Sequence, residues 1–398
     1  MYSDLMSYNI LLAIYLRPVA AQYLAPLPEE YSGVAAVLIE DNLAVIPGNW
    51  SYESNMVPFY NVTSDDEDFQ DAADTIAAAD FIALSPDFLS LIGPSATLDR
   101  IVNFTSPEVE LVHEAPAYVP DTNELLFSTT TAIGRLWALN LDTLELRNLT
   151  LDPPLSNING ATYHNGTVYV CTNGGDVRGI FSVNFTTGAT APIVNNYRGR
   201  RLNSPNDVIF DSPGNMWFTD PAYGWYSEFE GVGEPELPQS IYFFNMTSKA
   251  LQVVSNDVVH VPNGLAFSPD ETKLYVADSA NLQGRPLGDT DPMGLRNVVA
   301  FDVEQYPLLS NPTLVHQTEV GWPDGLRISS SGLIVVGVRG AADVVDPRTG
   351  TLLGKFNCPD DIIYNVERIA ETGTWFLIGG KHIYRVAIAE TSPPLAGS

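Results

Sequence analysis

The sequence predicts an all-β protein, a six-bladed β-propeller preceded by an N-terminal extension. Two observations predict it. From about residue 107 onward, six segments share one plan: an apolar strand, a turn, and a second strand ending in a small or polar residue. The composition agrees, because 30 Gly and 29 Pro suit many short strands joined by turns.

The segments are 113–128, 159–172, 206–220, 263–278, 324–338 and 365–379. Each alternates as a β-hairpin, and Pro-Asp, Asn-Gly, Pro-Gly and Ser-Gly pairs stand at turns that need a fixed or positive φ. Their first aligned residues are Glu114, Asn159, Asn206, Asn263, Asp324 and Asn365. Successive spacings of 45, 47, 57, 61 and 41 residues each match one four-stranded blade. Residues 107–398 then form the propeller, with the first blade borrowing its outer strand from the other end of the chain. Residues 22–106 form an extension packed on its outside. They hold the acidic run Asp65-Asp66-Glu67-Asp68 and a short helix expected over 69–79, where acidic residues suit the helix dipole.

Charge and motifs bound the function. Lys and Arg number 19 against 48 Asp and Glu, a net charge of −29. Such a surface repels phosphate backbones and anionic lipid, so neither nucleic acid nor membrane is an expected partner. No apolar run reaches the roughly 20 residues of a spanning helix. Seven Asn-x-Ser/Thr sequons begin at Asn49, Asn61, Asn103, Asn148, Asn165, Asn184 and Asn245, the mark of a secreted glycoprotein. The apolar core 10–16 before Val19-Ala20-Ala21 resembles a signal peptide over 1–21, although Asp4 precedes it and no Lys or Arg does. Cys171 and Cys358 can pair in an oxidising compartment or stay as buried thiols.

Every one of the six aligned positions is Glu, Asp or Asn. At the start of an inner strand they face the central channel. They supply two carboxylates and four amides and no Cys or His, a set that suits a hard divalent cation, Ca²⁺ above Mg²⁺. Turn chemistry alone accounts for Asn159, Asn263 and Asp324, each followed by Gly. It does not account for Glu114, Asn206 or Asn365. The chain has no G-x-S-x-G elbow, no H-E-x-x-H and no Gly-rich phosphate loop, so serine-hydrolase, zinc-hydrolase, kinase and redox readings lack their parts.

The ordered set H-E-A (113–115), S-P-N-D-V (204–208), F-T-D-P-x-Y-G (218–224), P-N-G-L-A-F-S-P-D (262–270), L-Y-V-A-D (274–278) and P-D-G-L (323–326) resembles the gluconolactonase/regucalcin family. It is most similar to the fungal extracellular lactonohydrolases, over residues 69–385. The resemblance implies a six-bladed propeller with one catalytic Ca²⁺ held by Glu114, Asn263 and Asp324. Asn206 takes the place of a further Asn that touches metal or substrate. It also implies hydrolysis of a small or secondary-metabolite lactone, with Asp324 or Glu114 taking the proton from water. Departures are Trp322 before Pro323-Asp324 and the Gly/Asp-rich insertion 284–294.

Further substrate contacts are expected from Asn159 and Asn365 and from an aromatic wall of Tyr223, Trp225 and Tyr226. Trp322 and the cationic run Arg198, Arg200 and Arg201 are candidates as well, the arginines for an anionic substrate. Alternation turns His113 away from the ring. Two other functions fit the same residues. One is a non-hydrolytic enzyme of fungal secondary metabolism, such as a hetero-Diels–Alderase, which an apolar closed mouth would favour. The other is a non-catalytic binding propeller, which needs no ring of oxygens.

Overall fold

The computed structural model describes residues 23–40, 44–54, 56–104, 112–129 and 134–393, with backbone only at Val112 and His113. The signal-like segment 1–21 and the His113 side chain lie outside the described residues. Strands dominate, and the two helices longer than one turn are Glu67–Ala78 and Pro86–Ile92. No helix among the described residues is long and apolar enough to cross a membrane.

Four antiparallel four-stranded sheets follow one another along the chain. They begin with Val112–Val119, Ile158–His164, Val208–Phe210 and Pro262–Phe267. Two further groups share one long strand, Thr351–Arg368. Its first part pairs with Ile334–Asp346, which pairs with Leu326–Ile328. Its last part pairs with Thr374–Gly379, followed by His382–Ala387. The six hairpins of the sequence are therefore the first two strands of successive sheets or sheet segments. The first strand of each lies beside that of the next, and Thr351–Arg368 lies beside Val112–Val119.

Apolar residues from facing sheets meet between them. Leu126 and Val170 share one cluster, and Val276 and Phe243 another. Phe376 and Ile383 from the end of the chain pack with Phe127 and Leu139 from the first sheet. Alternation along each strand supplies these faces.

The segment before residue 107 is woven in rather than laid outside. Phe81–Ala83 pairs with Gly354–Phe356, and Thr97–Asn103 pairs with His382–Ala387. The borrowed outer strand thus completes the last sheet, while the first sheet is complete in its own residues. The reason is an edge: after His382–Ala387 the described chain forms no further strand, and Thr97–Asn103 takes the unpaired backbone groups. The helix begins two residues earlier than expected, because Asp66 caps it by accepting from the Phe69 N–H at 2.9 Å. Its buried stripe is Phe69, Ala72, Ala73 and Ile76. Cys171 and Cys358 are buried free thiols. Six of the sequon asparagines are exposed and Asn245 is half-buried.

A buried ionic cluster ties the fifth sheet to the fourth. Asp343 accepts from Lys355 Nζ at 2.7 Å and meets His316 Nε2 at 3.0 Å. Burial pushes the Asp343 carboxyl up, but Lys355 and His316 overcome this and hold it at about 2. Replacing Lys355 by Met strands this charge and should cost about 3–5 kcal/mol, read by urea unfolding. The carboxyl's folded value lies below its unfolded one, so its contribution is complete above about pH 4 and is lost as pH falls towards 2. The stability difference between the wild type and Lys355→Met should therefore shrink as pH falls towards 2.

Candidate active site

The ring residues sit where strands depart from regular pairing. Register shifts fall at Glu114 and within 158–161, 262–265 and 363–365. Asn206 and Asp324 stand two residues ahead of their strands. Such irregularities re-aim side chains, which takes a polar residue out of the alternation and turns it to the axis. After Glu114, Ala115 adopts φ 60°.

The glycines that follow have a different task from the one their sequence suggests. Gly264 and Gly325 are not in the left-handed region. A Cβ on Gly325 would lie 1.9–2.3 Å from the Asn365 amide, and one on Gly264 would lie 2.5 Å from the Asp324 carbonyl oxygen. The missing side chain lets the next ring residue come close.

Hydrogen bonds run around the ring. Asn159 Nδ2 donates to Asn206 Oδ1, and Asn206 Nδ2 donates to Asn263 Oδ1, each at 2.5 Å. Asn263 Nδ2 donates to Tyr223 Oη and Ser279 Oγ at 3.0 Å. Between Thr351–Arg368 and Val112–Val119, Asn365 Nδ2 donates to Glu114 Oε2 at 2.7 Å. Trp322 Nε1 donates to Asp324 Oδ2 at 2.9 Å. Glu114 and Asp324 are 2% and 4% exposed. Burial, reinforced by repulsion from Asp324, lifts the Glu114 carboxyl well above the carboxylate range. Burial also lifts Asp324, to about 7, against hydrogen bonds from Trp322, Glu114 and Asn263 that hold it down.

These groups form the floor of a cavity of about 320 Å³. Glu114, Asn159, Asn206, Asn263 and Asp324 line it, with walls of Tyr223, Phe229, Leu282, Leu287, Trp322 and Tyr364. Asn365 reaches the floor through Glu114. Trp225 and Tyr226 are not lining residues, so the expected aromatic wall reduces to Tyr223, which sits on a single helical turn, Tyr223–Tyr226. Arg201 is exposed on the hairpin of Asn196–Tyr197 and Arg200–Arg201, outside the cavity. That hairpin's charges point to water, where a long side chain keeps its hydration.

The sequence reading missed the carboxylates that hold the ring's approach segments. Asp220 accepts from the N–H groups of Asn203 and Ser204, ahead of Asn206. Asp278 accepts from those of His260 and Val261, ahead of Asn263. Both lay inside quoted motifs, and the repeated strand-end Asp was the available signal. Leu282 and Leu287 were visible only as part of, or next to, an insertion.

The donor chemistry fits a hard cation. Among the described residues no group of three or more His, Cys, Asp and Glu side chains is arranged for a metal. A cation here would take the two carboxylates and amide oxygens, and two buried, mutually repelling carboxyls gain from a positive charge between them.

Residues 112–366 match the SMP-30/gluconolactonase/LRE-like region. The chain belongs to this family. Among its curated relatives, lactonohydrolase oryL of Aspergillus oryzae is 30% identical over 267 residues, covering 62% of this chain and 60% of that protein. Lactonohydrolase oryH of the same fungus is 28% identical over 315 residues, 61% of this chain and 66% of that one. A gluconolactonase of Zymomonas mobilis is 28% identical, covering 65% of this chain and 75% of that protein. The chain thus spans less than two thirds of both Aspergillus proteins. In three dimensions the chain has the fold of a Xanthomonas campestris gluconolactonase, with a TM-score of 0.63 at 24% identity over 77% of this chain and 94% of that one. The calcium-binding protein regucalcin of Agrobacterium tumefaciens has the same fold, with a TM-score of 0.56 at 16% identity over 72% and 94%. Family membership accounts for the propeller-type all-β architecture.

Proposed function

We propose that this protein is a Ca²⁺-dependent lactone hydrolase of the SMP-30/gluconolactonase/LRE-like family, built on a closed six-bladed propeller. The observation that carries it is the floor of buried carboxylates and amides in a ligand-sized cavity. The names of the curated relatives support the activity. The packing of the last strands on the first sheet supports six blades and closure. The exposed sequon asparagines support a secreted glycoprotein.

In this reading Glu114, Asn206, Asn263 and Asp324 hold the cation. Ca²⁺, when bound, supplies Lewis-acid polarisation of the lactone carbonyl. Asn159 and Asn365 hold Asn206 and Glu114 in place through the bonds above. A carboxylate of the Glu114–Asp324 pair takes a proton from the attacking water and returns it to the departing ring oxygen, so the ring opens to a hydroxy acid. Trp322 orients Asp324 through Oδ2. Trp322→Phe should lower kcat about tenfold with little change in KM, as expected when a ligand loses its supporting hydrogen bond.

The test is proton release from a panel of lactones, before and after chelation. One observation favours a second reading, the hetero-Diels–Alderase-like cyclase: the cavity walls are largely apolar. Product formation from a diene and a heterodienophile, without lactone opening, would select it. A purely protein-binding propeller leaves the two buried carboxylates without a task.

A further inference from the structure

The walls above the ring are more selective than its floor. The hairpin of Leu282–Gln283 and Asp289–Thr290 is pinned across the cavity mouth. The Leu287 N–H donates to the Tyr226 carbonyl at 3.0 Å. The Arg285 guanidinium lies 4.6 Å from the Trp225 ring centroid, and its Nε donates to the Trp225 carbonyl at 3.3 Å. This anchoring brings Leu282 and Leu287 into one wall with Phe229 and Trp322.

We infer that the substrate is a neutral lactone bearing an apolar alkyl or aryl substituent, held against Phe229, Leu282, Leu287 and Trp322, rather than a polyhydroxylated sugar lactone. This inference rests on the lactone-hydrolase reading of the floor. Three observations carry it. Among the described residues the lining includes no Lys, Arg or His, and its charged groups are Glu114 and Asp324, both acidic. With calcium on the two carboxylates the floor carries little net charge, and no cationic side chain among the described lining residues is there to pair with an anionic substrate. The floor asparagines are already committed to one another and to Tyr223 and Ser279. Apart from the floor and its partners Tyr223 and Trp322, the polar side chains that sugar hydroxyls would meet are those of Asn173, Ser227 and Tyr364. These are too few for a polyhydroxylated ring, and unpaired buried hydroxyls oppose binding. The apolar side chains instead gain from covering a hydrocarbon substituent. A volume of about 320 Å³, at the small end for ligand pockets, suits one ring with a short chain.

The test compares δ-decalactone with D-glucono-δ-lactone at saturating calcium. The kcat/KM for the decalactone should be higher by about 100-fold. In Leu282→Asn/Leu287→Asn, with folding checked by circular dichroism, that ratio should shrink about tenfold, through KM for the decalactone. A second arm measures calorimetric binding of 3-pentylcyclohexanone, in which a methylene replaces the ring oxygen, so the ring and chain positions are kept and no ester is left to open. It should bind the wild-type protein and bind the double variant about tenfold more weakly. If neither lactone opens but the ketone binds and the variant weakens it, the hydrolase reading fails and the apolar-ligand inference stands. A preference for the sugar lactone, or ketone binding that is absent or indifferent to both substitutions, overturns the inference.

Discussion

Replacing Asp324 by Ala lowers lactone turnover by about 10³-fold while the protein stays folded. The carboxylate is one of two in the ring, and its removal leaves Glu114 with amides, a poor set for a hard cation. Loss of a Lewis-acid contribution of about 4 kcal/mol corresponds to that factor. The fold should be kept, because it rests on strand pairing within the sheets rather than on this one floor residue. Asn206→Ala should affect metal affinity less and turnover more, if its amide meets the substrate. Calcium content, lactone turnover and thermal unfolding of both variants check this. An Asp324→Ala protein that is fully active after chelation would leave the shaped cavity, without a cation, as the catalyst.

Gly325→Ala should damage the floor of the cavity by a single methyl group. The added Cβ would overlap Asn365 at 1.9 Å, so either the amide leaves Glu114 Oε2 or the strand of Leu326–Ile328 moves. Overpacking of this kind costs about 1–3 kcal/mol, and displacement of a ring support should lower turnover about 100-fold. The double variant Gly325→Ala/Asn365→Ala removes the overlap. Its stability should recover part of the loss, a coupling that a double-mutant cycle measures. Strictly additive effects would mean that the close approach carries no energy.

The hairpins were legible because alternation and turn residues are local signals, and the structure places all six of them as first and second strands. The ring positions were legible as a polar residue recurring at one register point. Their geometry was not, because it depends on strand irregularities and on neighbours from the next sheet. Asn263-Gly264 and Asp324-Gly325 read locally as turn pairs, whereas the glycines serve residues in adjacent strands. The pairing of Thr97–Asn103 with His382–Ala387 joins distant parts of the chain, so no short window carries it. Arg201 stood out as a cation in an acidic chain, yet charge rarity says nothing about where a hairpin points. Leu287 lay inside the polar insertion 284–294 and Leu282 just ahead of it, and the anchoring of Arg285 on Trp225 brings them into one wall.

The most direct measurement is a calcium titration of the metal-free full chain, with bound calcium and lactone turnover read on the same samples. One Ca²⁺ should bind per chain, with no turnover before addition and turnover that rises in proportion to occupancy. Undiminished turnover in the metal-free chain, or calcium bound in Glu114→Gln/Asp324→Asn as tightly as in the wild type, would contradict calcium-dependent hydrolysis at this ring.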